Sequence, residues 1–299
     1  NRVRRQRQMC IRDRKYSVIV AFKDEIGYIE KMLETLINQS LAPQEVILVN
    51  DSSSDGSEKA VQQIIKDLKN FRVINNISID SYEPGKKIVK SSLLGYESLK
   101  KEYDFIVKLD ADILLPLNYF KKISNAFKNE NIGIVGGYLY QKNKNGKWFL
   151  EHAMDKNHVR GAIKAYSKDC YKSIGGLKPT MGWDSVDELL AFYNGFKVKT
   201  LPNLKVKHLR IPNKRFSNNK KAILQGKAFY RMRYGFFISL LASLKILLQT
   251  FNFIFFFNVI LGFIISMLKK EKYIVSIDEG FFIRKYRISN IRSKLSKNI

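Results

Sequence analysis

The sequence predicts an α/β fold: a Rossmann-like, mostly parallel sheet flanked by helices, followed by a helical C-terminal appendage. Short apolar runs of strand length alternate with helical apolar stripes over the first two thirds of the 299 residues. Acidic side chains directly follow two of these runs. The last third becomes both apolar and basic, and this change of composition predicts a separate helical region.

The first predicted unit is strand–helix–strand. Residues 17–22 and 45–50 are apolar runs, and residues 26–39 carry apolar side chains at helical spacing. Such a unit implies a right-handed crossover and two parallel strands. Asp51 follows the second strand, so we expect it at the edge of the sheet where open α/β folds bind ligands. A turn residue that bonds nearby backbone amides is an equally good interpretation of Asp51.

The central predicted strand, residues 105–109, ends in two carboxylates, Asp110 and Asp112. Carboxylates roughly 4 Å apart repel by about 4 kcal/mol at an effective dielectric constant of ~20. A divalent cation bound between the two carboxylates makes their arrangement favourable, because Mg²⁺ and Mn²⁺ prefer oxygen ligands. The motif therefore predicts a metal–diphosphate site, while two aspartates in a solvated loop are the commoner interpretation of the motif alone.

Further elements complete the predicted sheet and its helices. Strands are predicted at residues 71–74 and 132–140, helices at residues 88–100 and 119–128, and a polar turn at residues 143–147. The later segment NHVRGAIKAYSK predicts a strand that returns to the site.

Four segments occur in order along the chain: SVIVAFKDE, EVILVNDSSSDGS, FIVKLDADILLP and a last one that begins SIGGLKPTMGWDS and ends at Arg210. Together they resemble the inverting, nucleotide-sugar-dependent glycosyltransferases of family 2, which have the A-type (GT-A) glycosyltransferase fold. The resemblance covers residues 16–210. It implies transfer of a sugar from a nucleotide-sugar donor, with a UDP-sugar expected, to a glycan or lipid-linked acceptor of the bacterial polysaccharide type.

The resemblance also implies roles for individual residues. Asp51 matches the acid that holds the nucleotide base or ribose. Asp110 and Asp112 match the pair that meets the donor ribose and a divalent metal, Mn²⁺ or Mg²⁺. His208 matches a late histidine that is a further metal ligand, with a structural histidine as the alternative. Lys86 or Lys87 would contact the donor phosphates.

The catalytic base implied by the resemblance is a carboxylate at a helix start near the acceptor. Asp184 has that position, although the family usually has Glu-Asp where this chain has Trp183-Asp184. Asp187 and Glu188 are close enough in sequence to be alternatives. A carboxylate is required because a neutral hydroxyl is a poor nucleophile. Arg160 would pair with the diphosphate, and a solvated surface arginine is the alternative.

The charge balance predicts an anionic partner, because the chain has 53 Lys and Arg against 27 Asp and Glu and a net charge of +26. We expect an anionic membrane surface rather than nucleic acid, because the sequence has no nucleic-acid-binding motif. Residues 236–268 are almost wholly apolar between cations, which predicts an interfacial or re-entrant helical pair at the cytoplasmic face of the membrane. A single crossing is the second choice, and a buried core helix or dimer contact is the alternative.

The sequence also predicts a division into domains. We expect a disordered or non-native leader (residues 1–15), a catalytic domain (residues 16–212) and a basic, membrane-associated region (residues 213–299). The two cysteines, Cys10 and Cys170, lack metal-binding or redox spacing, which is typical of a reducing compartment.

Two other functions stay open at this point. A nucleotidyltransferase shares the sheet and the metal-binding aspartate. It would have a glycine-rich, basic phosphate loop after the first strand, where this chain has Lys23, Asp24 and Glu25. A non-catalytic membrane or nucleic-acid binder would explain the charge without chemistry. Metal-dependent hydrolysis of a nucleotide sugar would separate an enzyme from a binder.

Overall fold

The computed structural model describes residues 14–77, 85–129, 131–151, 158–210 and 218–296. The predicted leader therefore lies almost wholly outside the described residues. The chain forms two compact units, and each is described by itself. The first unit comprises residues 1–79, 90–176 and 196–211, and the second comprises residues 80–89, 177–195 and 212–299.

The first unit contains a single nine-stranded sheet among the described residues. Its strands are β1 (Tyr16–Phe22), β2 (Glu45–Asn50), β3 (Phe71–Asn75), β4 (Phe105–Asp110), β5 (Ile113–Leu114), β6 (Ile132–Lys142), β7 (Trp148–Leu150), β8 (Ile163–Ser167) and β9 (Lys197–His208). Their spatial order is β3-β2-β1-β4-β8-β6-β9-β5, and β7 pairs with β6.

The predicted α/β fold is confirmed, but the sheet is mixed rather than mostly parallel. Strands β1, β2, β3 and β4 pair in parallel, as the predicted crossovers require. Strand β8 is antiparallel to both β4 and β6, and β5 is antiparallel to β9. Antiparallel pairing needs no helical crossover, and the described residues that lead into β7 and β8, 143–147, 151 and 158–162, contain none.

Helices flank this sheet and make up most of the second unit. They are α1 (Ile29–Ile37), α2 (Ser57–Ile65), α3 (Lys86–Glu97), α4 (Tyr119–Ala126), α5 (Lys168–Ser173), α6 (Trp183–Tyr193), α7 (Asn218–Arg231), α8 (Gly235–Thr250), α9 (Phe253–Leu268) and α10 (Ile277–Leu295).

The core of the first unit lies between the sheet and its helices. Every residue of β1 is buried. Helix α1 packs onto the sheet through Ile29, Met32, Leu33 and Leu36, which share one helix face and are all fully buried. The parallel registers pair the last residue of β2 with Phe22 and the last residue of β4 with Ala21. The carboxyl ends of these strands therefore lie at one edge of the sheet.

In the second unit, α7 and α9 cross in backbone contact. A Cβ atom on Gly226 would lie 1.8 Å from the carbonyl oxygen of Val259, and one on Gly262 would lie 2.1 Å from that of Ile223. Only glycine fits at both positions, so these two residues determine how closely the helices approach. Among the described helices, none combines the length and the apolarity that a bilayer crossing requires.

Candidate active site

Asp51 lies at the carboxyl edge of the sheet, as the strand pattern predicts. Its backbone NH continues the ladder by donating to Phe22 O (2.9 Å). Its carboxylate accepts a hydrogen bond from Asn76 Nδ2 (2.9 Å), and the same amide group donates to Ser91 Oγ (3.1 Å). The side chain is thus buried and oriented by a residue from the end of the neighbouring strand.

Asp110 forms an ion pair that the sequence reasoning missed. Lys108 lies two residues earlier on β4, so the two side chains share one face of the strand. The buried Lys108 Nζ donates to Asp110 Oδ1 and also to Gly161 O (3.1 Å). A lysine inside an otherwise apolar strand was the available signal, because a buried ammonium group needs a charged or carbonyl partner. Lys108 holds the first carboxylate of the motif in place.

Asp112 and His208 are brought together by the backbone. Residue 113 in β5 pairs with His208 at the end of β9, and Leu209 N donates to Asp112 O (2.7 Å). His208 Nε2 consequently lies 3.3 Å from Asp112 Oδ2. Both side chains are largely buried.

Glu151, which the sequence analysis did not single out, lies on the other side of the imidazole. Its Oε2 is 3.1 Å from His208 Nδ1, and its Oε1 accepts a hydrogen bond from Arg160 Nη2 (2.9 Å). Strands β7 and β9 both pair with β6, which places the residue after β7 beside the last residue of β9. Arg160, predicted as a phosphate contact, is therefore engaged by Glu151 in this structure.

The charges around His208 change the pKa values of the groups involved. Burial by itself lowers the pKa of His208, but hydrogen bonds and charges from Asp112 and Glu151 outweigh it and raise that pKa to about 10. Burial raises the pKa of Glu151, and His208 together with Arg160 reverses this and holds the pKa below its ordinary value. Without a metal, the imidazole is therefore a cation between two carboxylates.

The pair Asp112 and His208 fits a divalent metal as two of its ligands. Two ligand atoms, each about 2.1 Å from a metal and at a right angle, lie about 3.0 Å apart, and the observed separation is 3.3 Å. Glu151 on Nδ1 is the kind of outer partner that metal-bound histidines have. The described residues contain no group of three His, Cys, Asp or Glu side chains able to hold an ion. Substrate or water oxygens would have to complete the coordination.

The candidate bases lie in the second unit, on α6. Asp184 is in the first turn of this helix, as predicted, and is half-buried. Asp187 is 1% exposed and Glu188 is 5% exposed, so Asp184 is the more accessible of the three carboxylates. Trp183 is buried, and its ring would meet a Cβ on Gly85 at 2.8 Å. Trp183 is therefore a packing residue.

Helix α6 is supported by the C-terminal helix α10. Phe192 stacks on Tyr286 with ring centroids 5.2 Å apart, and Tyr193 contacts Phe282 at 5.5 Å.

Lys86, the other predicted phosphate contact, is the first residue of α3 and belongs to the second unit. Asp51, Asp110, Asp112, Arg160 and His208 belong to the first unit.

Known glycosyltransferases are similar to this chain. A curated but uncharacterized glycosyltransferase of Haemophilus influenzae is 29% identical over 124 residues, 41% of this chain and 36% of that protein. The solved structure of GalNAc-T7 with UDP, GalNAc and Mn²⁺ has a TM-score of 0.57 at 12% identity, over 75% of this chain and 51% of that one. The mannosyltransferase PcManGT of Pyrobaculum calidifontis, solved with GDP-Man and Mn²⁺, has a TM-score of 0.53 at 13% identity, over 94% and 82%.

Residues 17–78 match the model of the family described as glycosyl transferase family 2. The curated relatives are described as glycosyltransferases. These findings confirm the predicted resemblance and support the predicted enzyme class. The structural likeness, at identities below 25%, concerns the fold, which is GT-A-like. The chain spans 36% and 39% of the length of the first two curated relatives.

Proposed function

We propose that the protein is an inverting glycosyltransferase that moves a sugar from a nucleotide-sugar donor to a glycan or lipid-linked acceptor. The observation that carries this proposal is the Asp112–His208 pair, 3.3 Å apart and beside Asp110 at the carboxyl edge of the sheet. Open α/β sheets bind ligands at this edge. The pyrophosphate of a nucleotide sugar is anionic, so binding it there requires a cation.

Each residue at this edge has a part in the proposed mechanism. Asp112 and His208 would hold a divalent metal, Mn²⁺ or Mg²⁺, which when bound neutralises charge on the departing nucleoside diphosphate. Asp51 would bind the base or ribose of the donor, and Asp110 would contact the ribose or the metal. Lys108 keeps Asp110 in position.

Asp184 is the proposed base, with Asp187 as the second choice. It would take the proton of the acceptor hydroxyl as the new bond forms, which is the usual task of a carboxylate base. One in-line displacement then inverts the anomeric centre, so no covalent intermediate on the protein is needed. The accessibility of Asp184, compared with the burial of Asp187, supports this order.

The donor is proposed to be a UDP-sugar. UDP is the nucleotide in the GalNAc-T7 structure, whereas the mannosyltransferase structure holds GDP-Man, so a panel of both donor types is the appropriate test. We further propose that the acceptor is reached at the cytoplasmic face of a membrane. The net charge of +26 and the basic C-terminal region support this location.

The experiment that tests the function is hydrolysis of a nucleotide-sugar panel with and without Mn²⁺. We expect release of the nucleoside diphosphate, and a rate lowered about 100-fold or more in Asp112→Asn and in Asp184→Asn. The matched control is Asp67→Asn, which changes an exposed aspartate. Wild-type turnover in both site variants would refute the assigned roles. If added pyrophosphate is consumed and the nucleotide sugar is converted to a nucleoside triphosphate and a sugar 1-phosphate, the protein is instead a nucleotidyltransferase.

A further inference from the structure

Helix α9 exposes an apolar stripe to solvent. Ile254, Phe257, Leu261 and Leu268 are 65%, 65%, 46% and 74% exposed. Their spacing of three, four and seven residues places them on one helix face. Phe251 and Phe253, at the turn that leads into α9, are also exposed. Contiguous exposed apolar residues of this size usually mark an interaction site.

The opposite face of α9 already has a partner inside the unit. Val259, Gly262, Phe263 and Ser266 are buried, and the glycine contacts with α7 bring the two backbones together. The exposed stripe is therefore not needed to pack the unit. It is free of charged residues, and Lys269 and Lys270 follow it directly.

The surrounding charge is predominantly positive. Glu271, between Lys270 and Lys272, is paired with Lys227 (3.1 Å). Residues 218–270 include eight Lys and Arg and no acidic residue. The exposed cations around the stripe include Lys245, Lys269, Lys270 and Lys272. Two copies of the chain meeting through this face would bring like charges together, because a two-fold interface uses the same patch twice. Anionic lipid head groups would instead attract the same cations.

We propose that α9 lies along an anionic membrane surface, with Ile254, Phe257, Leu261 and Leu268 in the head-group and acyl boundary and Lys269, Lys270 and Lys272 against lipid phosphates. At 1.5 Å per residue, its 16 residues make a helix about 24 Å long, which suits an interfacial orientation. The inference deepens the proposed location at a membrane, and it depends on none of the catalytic residues.

Binding of the full chain to vesicles tests this surface. The probes are phosphatidylcholine vesicles with and without phosphatidylglycerol, at low and high salt. We expect binding only to the anionic vesicles, weakened by salt. The variant Phe257→Gln with Leu261→Gln should bind at least tenfold more weakly, because glutamine keeps the helix but cannot enter the acyl region.

A second variant separates specific cations from bulk charge. The triple variant should bind anionic vesicles on the order of a hundredfold more weakly, at roughly fivefold per lysine. It carries Lys269→Gln, Lys270→Gln and Lys272→Gln. The matched control makes the same change at the exposed residues Lys59, Lys66 and Lys69 of the first unit, and should bind nearly as wild type. Equal loss in both triple variants would overturn the proposal, because net charge alone would then explain binding.

Two further outcomes are decisive. If the stripe variant binds vesicles like the wild type, the stripe is not the docking surface. If sedimentation shows a wild-type dimer that the stripe variant lacks, and neither binds vesicles, the stripe is an interface between copies. Asp112→Asn should bind vesicles normally and the stripe variant should still hydrolyse a soluble donor, so that failure of docking and failure of catalysis give different results.

Discussion

At the scale of single residues, the site depends on a side chain that no motif includes. Glu151 contacts His208 Nδ1 with one oxygen and Arg160 with the other. Arg160 holds the Glu151 carboxylate in place, and Glu151 occupies Nδ1 of His208. The other ring nitrogen of His208, Nε2, faces Asp112 and is the one that can bind a metal. Glu151 is thus a positioning residue, because it acts on the metal through His208.

We predict that Glu151→Gln weakens Mn²⁺ binding about 10- to 100-fold, the usual cost of removing an outer partner of a metal ligand. The amide no longer supplies the negative charge that makes the imidazole a better ligand. Titration of Mn²⁺ by electron paramagnetic resonance measures the effect directly. Glu102→Gln, at an exposed position, is the control, and wild-type affinity in Glu151→Gln would show that Glu151 has no such role.

At the scale of elements, two kinds of joint hold the architecture. Within the sheet, Glu45 of β2 accepts hydrogen bonds from Arg72 of β3 (2.9 Å) and from the backbone NH groups of Lys100 (2.9 Å) and Lys101 (3.2 Å). One buried carboxylate thereby ties β2 to β3 and to the chain that follows α3. In the helical unit, the joint is the glycine contact between α7 and α9.

The joint at Glu45 predicts a pH dependence of stability. Burial raises the pKa of Glu45, but the hydrogen bonds from Lys100, Arg72 and Lys101 outweigh it and lower that pKa. A carboxylate with a lowered pKa stabilises the fold above its unfolded pKa of about 4.3, and this stability is lost as the pH falls through the folded value. Urea unfolding should therefore show Glu45→Gln less stable than the wild type by about 1–3 kcal/mol at pH 7.

As the pH falls below the unfolded pKa of about 4.3, the difference between Glu45→Gln and the wild type should shrink, because the unfolded carboxyl then binds a proton more readily than the native one. Glu102→Gln should follow the wild-type curve at both pH values. A Glu45→Gln deficit that is the same at pH 7 and at pH 3.5 would mean that the charge of Glu45 is not what stabilises the joint.

The glycine joint predicts a steric effect. Gly226→Ala places a methyl group 1.8 Å from Val259 O, so α7 and α9 must separate, at a cost of about 1–3 kcal/mol or more. The thermal midpoint should fall, whereas Lys221→Ala, an exposed change on the same helix, should leave it nearly unchanged. An unaltered midpoint in Gly226→Ala would contradict the close crossing of the two helices.

At the scale of the whole molecule, the proposed functional residues are divided between two units. The metal and nucleotide residues belong to the sheet unit, and the candidate base Asp184 belongs to the helical unit. Because α6 packs on α10 through aromatic contacts, the helix that carries Asp184 is supported by C-terminal sequence far from its own position.

This division also shows what sequence could and could not predict. Asp51, Asp110 and Asp112 were predictable, because an acid after an apolar run lies at a sheet edge whatever the remaining topology. Glu151 was not, because His208 is 57 residues away and only the pairing of β7 and β9 with β6 brings the two together. The antiparallel part of the sheet and the grouping of α6 with α10 likewise depend on long-range contacts, which periodicity does not encode.

We propose that Asp112 and His208 hold a cation that binds the pyrophosphate of a sugar donor. Calorimetric titration of UDP, with and without Mn²⁺, on the wild type and on Asp112→Asn measures this role. We expect Mn²⁺ to tighten UDP binding at least tenfold in the wild type, and we expect this gain to disappear in the variant. Equal affinity with and without Mn²⁺, or a full gain retained in Asp112→Asn, would contradict it.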